Sequence, residues 1–128
     1  MPIENYWANN EQSILIEKFY DVWTWDQVID TCQNHINPTL SPINHPVVLI
    51  QDMIGSHWTP TINLLSEVQR MMMTPYHDNV SMILVVSGDA AIDTLVVAAY
   101  KRYGKADCTY QACSTINKAI IIANDYLS

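Results

Sequence analysis

The sequence predicts an α/β fold, with a mixed, mainly parallel five-stranded sheet and four helices in the order β-β-α-β-α-β-α-β-α. The unbroken apolar run at residues 47–50 and the largely apolar residues 80–86 are typical of strands buried on both faces, as in a parallel sheet. Each run is followed by a segment with helical spacing of apolar residues, which supplies the crossover that parallel strands need. We expect one domain over residues 1–128, since this length suffices for one core.

The first strand pair is predicted to be antiparallel. Residues 3–8 and 13–19 read as strands, and the Asn-rich residues 9–12 between them favour a hairpin turn. The first helix follows from a capping box at Thr24 and Gln27 and a hydrophobic staple at Trp23 and Val28. We expect this helix to end before Pro38.

The later helices are predicted from capping signals and apolar spacing. Thr59 and Pro60 predict the start of the second helix, and the Thr74-Pro75 pair its end. The third helix follows Asp89 and ends at Gly104, a predicted C′ residue. A short strand over residues 107–111 and a helix from residues 113–114 complete the chain.

Ten residues on the inward faces of these elements form the predicted core. They are Trp25, Val28, Ile29, Val48, Ile50, Leu65, Ile83, Val85, Leu95 and Ile120. The predicted inward stripes of the second and third helices are Ile62, Leu65, Val68, Met72, and Ile92, Leu95, Val96, Ala99, Tyr103.

Charge and composition exclude several classes of function. Thirteen acidic residues against six basic ones give a net charge of −7, which disfavours binding to nucleic acids or anionic membranes. No apolar run approaches a transmembrane length, and the first residues lack the pattern of a signal peptide. We therefore expect a cytoplasmic protein with three reduced cysteines, either a monomer or a weak homodimer.

No spacing in the sequence indicates a catalytic or metal centre. The four histidines never stand at a metal-ligand spacing, and no GxSxG elbow is present. Three glycines cannot form a GxGxxG or Walker loop. We predict that the protein is not an enzyme and has no cofactor and no metal.

The loop after the buried strand at residues 47–50 is the predicted binding site, because functional loops follow the carboxyl ends of parallel strands. Its candidate residues for binding a protein partner are Ser56, His57, Trp58, Thr59 and Thr61. Trp58 is either an interface anchor or a cap on the core, and the sequence leaves both open. A phosphate at this helix start would be favourable, which makes Thr61 and Ser56 candidates for phosphorylation.

Two segments, WTWDQV and HPVVLIQDM, give the chain its resemblance to a known family. Together with the order of elements, they resemble STAS domains, the fold of bacterial anti-sigma factor antagonists, and in particular a bacterial group of small, uncharacterised STAS-like proteins. The resemblance implies a regulatory module that binds a protein partner, such as a regulatory kinase or its target. In the antagonists an Asp-Ser-Ser-Gly element carries the phosphorylated serine. That element is absent here, and Thr61 stands near its position after Pro60. Constitutive binding is therefore favoured over a phosphorylation switch.

Two functions from different classes follow. The first is a non-enzymatic regulatory interaction module that binds a protein through residues 56–73. The alternative is a small-ligand or lipid-binding domain that uses Asp52, Ser87, Asp89 and Ser114 in the loops after the parallel strands. A concave apolar pocket with convergent polar groups around Trp58 would favour the ligand, and a convex apolar face would favour the protein.

Overall fold

The computed structural model describes residues 2–58, 64–73 and 75–128. The predicted helix start at Thr59 and Pro60, the inward Ile62, the candidate Thr61 and the predicted helix stop at Thr74 lie outside these residues.

The described residues form seven strands and four helical segments, of which the first is a compound one. The strands are β1 (Ile3–Trp7), β2 (Ile14–Phe19), β3 (Val22–Trp23), β4 (Val47–Asp52), β5 (His57–Trp58), β6 (Val80–Val86) and β7 (Thr109–Ala112). The first helical segment comprises α1 (Trp25–Thr31), a π-helical turn (Cys32–Ile36) and α2 (Asn37–Leu40). The others are α3 (Leu64–Met72), α4 (Ala90–Tyr103) and α5 (Ile116–Leu127).

Five strands form the main sheet in the order β1-β2-β4-β6-β7. β1 pairs antiparallel with β2 at one edge, and the remaining neighbours are parallel. The predicted α/β class, the mixed sheet and the antiparallel first strand are confirmed. A second, two-stranded parallel sheet joins β3 to β5, pairing Val22 with His57 and Trp23 with Trp58. The sequence did not predict this pairing, because two residues are too few to show a strand pattern.

The sheet buries apolar residues on both faces, as the apolar residues at 47–50 and 80–86 predict. The larger core cluster lies on one face and includes residues of α1, α3 and α4. The smaller cluster lies on the other face, where Ala119 and Ala123 of α5 pack among residues of β2, β4 and β6. All six residues of β4 are buried, so this strand is the centre of the fold.

Most of the predicted core is buried, and two residues are not. Six residues are buried as predicted, namely Trp25, Val28, Val48, Ile50, Ile83 and Val85. Ile29 and Ile120 are partly buried. Leu65 and Leu95 are 44% and 59% exposed, so their prediction was wrong.

The inward stripe of α4 overlaps the predicted stripe in part, since Val96 and Ala99 are buried as predicted and Leu95 is exposed. Asp93 and Tyr100 face inward instead of Leu95, because each side chain bonds to a group of the sheet or its loops. The Asp93 carboxylate accepts a hydrogen bond from the Ser87 N–H at 2.8 Å, and the Tyr100 hydroxyl donates to Gln51 at 2.7 Å. These two polar contacts fix the rotation of the helix. In α3 the buried residues are Val68 and Met71.

The first helix starts as predicted and ends later than predicted. Both hydrogen bonds of the capping box between Thr24 and Gln27 are present. Helical structure continues through Pro38 to Leu40, so the predicted end before Pro38 was wrong. The π-helical turn explains the difference. Proline lacks an N–H, and its ring crowds the carbonyl four residues earlier in an α-helix. The turn directly before Pro38 is π-helical and therefore wider than an α-helical turn, with the Asn37 N–H bonded to the Cys32 carbonyl.

Gly104 is needed for space and not for a left-handed backbone. It caps α4 with an extended conformation, so the predicted left-handed C′ geometry is absent. A Cβ built at this position would overlap the Tyr110 hydroxyl and the Tyr100 carbonyl oxygen.

The three cysteines, Cys32, Cys108 and Cys113, are buried and none of them forms a disulfide, as predicted. No helix formed by the described residues is long and apolar enough to cross a membrane.

Candidate ligand cleft

An open cleft of about 450 Å³ lies where the carboxyl ends of β4 and β6 meet. Met53 and Ser87 directly follow these two strands, and the Met53 N–H bonds to the Val86 carbonyl at 2.8 Å. The lining residues come from three separate parts of the chain, namely Trp23, Met53, Gly55, Ser56, His57, Trp58, Ser87, Gly88, Asp89 and Ile92. This is the end of a parallel sheet at which ligands usually bind.

Three tryptophans pack together beside the cleft. The ring centroid of Trp23 lies 5.3 Å from that of Trp25 and 5.7 Å from that of Trp58, and both pairs meet edge to face. Trp23 is buried, whereas Trp58 is half-buried, packs on the core cluster and lines the cleft. The packing of Trp58 on the core cluster agrees with its interpretation as a core cap, and its role as an interface anchor stays a prediction.

Ser56 holds the cleft loop against this tryptophan cluster. Its hydroxyl accepts a hydrogen bond from the Trp23 indole N–H at 3.0 Å and donates one to the Met53 carbonyl at 2.8 Å. A phosphate on Ser56 would have to replace the bond that the hydroxyl donates. The prediction of phosphorylation at Ser56 thus carries a structural cost that the sequence did not show.

Two glycines form the turns on either side of the cleft. Gly55 and Gly88 have φ values of +77° and +84°, which L-residues with a side chain rarely adopt. Gly55 precedes Ser56 in the loop after β4, and Gly88 lies between Ser87 and Asp89 in the loop after β6. Both loops can therefore turn sharply at the strand ends and leave the space between them open.

Asp89 caps the helix that begins at the cleft. Its carboxylate accepts hydrogen bonds from the N–H groups of Ala91 at 2.9 Å and Ile92 at 3.3 Å. The neighbouring Ser87 N–H is bonded to the carboxylate of Asp93. Three amides near this helix end, those of Ser87, Ala91 and Ile92, are thus bonded to carboxylates of the chain itself and not offered to an anion.

The structure brings together five of the predicted site residues and separates two others. Ser56, His57 and Trp58 line the cleft together with Ser87 and Asp89. Asp52 does not line it; its carboxylate contacts Lys18 at 3.2 Å and accepts from the Ile54 N–H.

Ser114 also lies apart from the cleft lining, where its hydroxyl accepts from Lys118 at 3.1 Å. Ser114 and Asp52 were both predicted as ligand-loop residues, and neither lines this cleft. The Asp52 side chain contacts Lys18 and the Ser114 side chain contacts Lys118, and both contacts lie outside the cleft. Thr59 and Thr61 lie outside the described residues.

Five lining residues were not named individually as site residues, namely Trp23, Met53, Gly55, Gly88 and Ile92. Met53, Gly55 and Gly88 lie within the loops predicted to bind a ligand, at residues 52–59 and 87–89, whereas Trp23 and Ile92 lie outside them. Gly55 and Gly88 could have been recognised as residues of this site, because the chain has three glycines and these two lie in the loops after the predicted buried strands. Trp23 gave no such signal, since it reaches the cleft only through the pairing of β3 with β5.

A second polar cluster is buried inside the larger core and was also missed. Oε1 of Glu17 accepts from Gln51 Nε2 at 3.1 Å and from the Tyr76 hydroxyl at 2.9 Å. The other oxygen, Oε2, is buried and has no hydrogen-bond partner within the part of the chain that the structure describes. Burial raises the pKa of Glu17 to about 7, although the bonds from Gln51 and Tyr76 lower it. The sequence does indicate that Glu17 is buried, because side chains alternate between the two faces of a strand and Glu17 shares its face of β2 with the buried Leu15 and Phe19.

Among the described residues, no group of three His, Cys, Asp or Glu side chains is arranged to hold a metal ion.

Comparison with known proteins shows the fold. No family model matches the chain, and no curated protein matches its sequence. A crystal structure of an uncharacterised protein of the DUF3478 family from Shewanella loihica PV-4, which has a SpoIIAA-like fold, superposes with a TM-score of 0.65. The chain has the STAS fold. The alignment covers 98% of this chain and 94% of the other, at 10% sequence identity. The predicted resemblance to anti-sigma factor antagonists is confirmed for the fold.

Proposed function

We propose that this STAS-like protein is a non-enzymatic binding module that takes a small ligand in the cleft beside Trp58. The observation that carries the proposal is the concave shape of the site. Apolar side chains of Trp23, Met53 and Ile92 and polar groups of Ser87 and Asp89 converge on one space. A concave apolar site with a few polar groups is the usual form of a ligand site, and about 450 Å³ lies within the usual range.

The experiment is a binding screen by NMR on the ¹⁵N-labelled protein with a library of small aromatic compounds. We expect the amide signals of Gly55, His57 and Gly88 to shift in a saturable way with some compounds. The variant Trp58→Leu should weaken this binding. Trp7→Leu serves as the matched control, because Trp7 is also half-buried on the core but lies in β1, outside the cleft lining. Saturable shifts that do not involve the cleft, or no binding at all, would contradict the proposal.

Regulatory binding of a protein partner through residues 56–73 is the second candidate, and exposed apolar side chains favour it. On α3, Leu65 is 44% and Met73, just beyond its end, 79% exposed. The neighbouring helix α4, which packs against α3, exposes Leu95 at 59%. Exposed apolar side chains on adjacent helices are a common feature of protein interfaces.

Cross-linking in the native host tests this second candidate. We expect a partner that is captured by the wild type and lost with Leu65→Ser or Leu95→Ser, while Ile121→Ser, at a 67% exposed position on α5, retains it. Mass spectrometry of the same material tests for phosphate at Thr61 and Ser56. Thr61→Asp and Thr61→Ala should both bind like the wild type if binding is constitutive. A partner retained by both leucine variants would exclude this surface.

A further inference from the structure

We infer that the cleft selects a small organic cation with an aromatic or apolar body over an anion of the same size. This inference rests on the proposed ligand-binding function and names the chemical class of the ligand. It follows from three features of the lining, which concern charge, free N–H groups and aromatic surface.

The charge of the lining is acidic. Among the described residues that line the cleft, none is Lys or Arg, while Asp89 is exposed at its edge. The protein as a whole has a net charge of −7, which adds a long-range attraction for cations. His57 is the basic side chain in the lining, so an anionic ligand would meet the Asp89 carboxylate here without a lysine or arginine to compensate it.

Four N–H groups near the start of α4 are already bonded within the chain. Those of Ala91 and Ile92 donate to the Asp89 carboxylate, and the Ser87 N–H donates to Asp93. The Asp93 N–H donates to the Asp89 carbonyl. To bind the N–H groups of Ser87, Ala91 or Ile92, a phosphate or carboxylate would have to displace a carboxylate of the chain, whereas a cation can bind beside Asp89 without breaking any of these bonds.

The aromatic surface suits a cation for a related reason. The indole N–H of Trp23 is bonded to Ser56, so this ring presents no free donor to the cleft. Trp58 lines the cleft and is half-buried, so part of its ring surface is accessible. Cations bind well over the face of tryptophan, and Asp89 on the same cleft supplies the opposite charge. Together these groups provide an aromatic surface and a carboxylate within one space.

Three matched probes test the inference, namely phenethylamine, phenethyl alcohol and 3-phenylpropionate. They carry the same ring and differ in charge at neutral pH. Binding is measured by NMR shifts of the cleft amides at low salt and pH 7. We expect the amine to bind about tenfold more tightly than the carboxylate, and added salt to weaken its binding.

Asp89→Asn is the decisive variant, because asparagine caps a helix about as well as aspartate and should leave the fold intact. It should reduce the affinity for phenethylamine several-fold and leave that for phenethyl alcohol unchanged. Asp107→Asn removes the same charge from an exposed residue between α4 and β7, and should leave the affinity for both unchanged.

The outcomes separate this inference from the function on which it rests. Binding of all three probes with equal affinity, or tighter binding of 3-phenylpropionate, overturns the selectivity for cations and leaves a ligand cleft. Unchanged binding of the amine by Asp89→Asn also overturns it. If none of the probes and no compound of the wider library binds, both the inference and the proposed function are wrong.

Discussion

Glu17 shows how one buried residue sets the pH response of the protein. Its hydrogen bonds come from the neutral groups of Gln51 and Tyr76, so no described cation offsets the burial of a charged carboxylate. Its pKa is about 7 in the folded state, against an ordinary value of 4.5 in the unfolded chain. Between these values the unfolded chain releases the proton that the folded protein keeps. The free energy of unfolding therefore falls as pH rises from 4.5 through 7.

The first prediction concerns this pH dependence. The contribution of Glu17 is fully present below pH 4.5, and its loss across this window is of the order of 3 kcal/mol. Glu17→Gln mimics the protonated carboxyl, so its stability should change less between pH 5 and pH 8 and should exceed that of the wild type at pH 8. Urea unfolding at a series of pH values measures this. Glu4→Gln, at an exposed position of β1, is the control, and its free energy of unfolding should depend on pH as that of the wild type does. A wild-type curve with the same slope as Glu17→Gln would contradict the assignment.

A pair of truncations tests the corrected core. Val85 is fully buried in β6, so Val85→Ala should lower the free energy of unfolding by roughly 2–3 kcal/mol through lost burial and a cavity. Leu65 is 44% exposed, and Leu65→Ala should lower it by less than about 1 kcal/mol. Chemical denaturation compares the two. Equal losses would mean that α3 is rotated from the orientation described above.

At the scale of elements, the order of strands and helices was predictable because each signal is local. Buried strands of a parallel sheet are largely apolar, and the runs at residues 47–50 of β4 and 82–86 of β6 show this directly in the sequence. The rotation of α4 was not predictable, since Asp93 and Tyr100 turn inward to bond groups distant in sequence. A stripe chosen by hydrophobicity alone therefore placed Leu95 inward.

The third prediction concerns the start of the first helix. The Thr24 hydroxyl accepts from the Gln27 N–H at 3.2 Å, and the Gln27 side chain accepts from the Thr24 N–H at 2.8 Å. Thr24→Ala removes the first bond and should lower the free energy of unfolding by about 1 kcal/mol. Thr24→Ser keeps the hydroxyl and should remain close to the wild type. Thermal or urea unfolding measures both. Equal stability of the alanine and serine variants would show that the cap does not contribute.

At the scale of the whole molecule, the cleft could be predicted only in part. Its place followed from the rule for parallel sheets, and Ser56, His57, Trp58, Ser87 and Asp89 were named from it. Its aromatic wall could not be predicted, because Trp23 and Trp58 are 35 positions apart and meet through a two-residue strand pair. Such contacts depend on the assembled fold and leave no periodic signal along the chain.

The fourth prediction uses the three thiols as reporters of the folded state. Cys32 has no exposed surface, and burial raises its pKa to about 12. Cys108 and Cys113 are also buried, and burial raises their pKa values as well. We expect DTNB to react slowly with the native protein and rapidly with all three thiols in urea. Fast reaction of Cys32 in the native state would indicate that the larger core opens locally.

The pairing of β3 with β5 has a consequence for motion as well as for shape. It bonds the His57 N–H to the Asp21 carbonyl at 2.8 Å, and Trp23 at its end is followed directly by the Thr24 cap of α1. We therefore expect the loop after β4 and the first turn of the first helix to open and close together. The amide protons of His57 and Gln27 are expected to exchange with solvent through the same opening event. A compound that binds the loop after β4 should therefore slow the exchange of both amide protons.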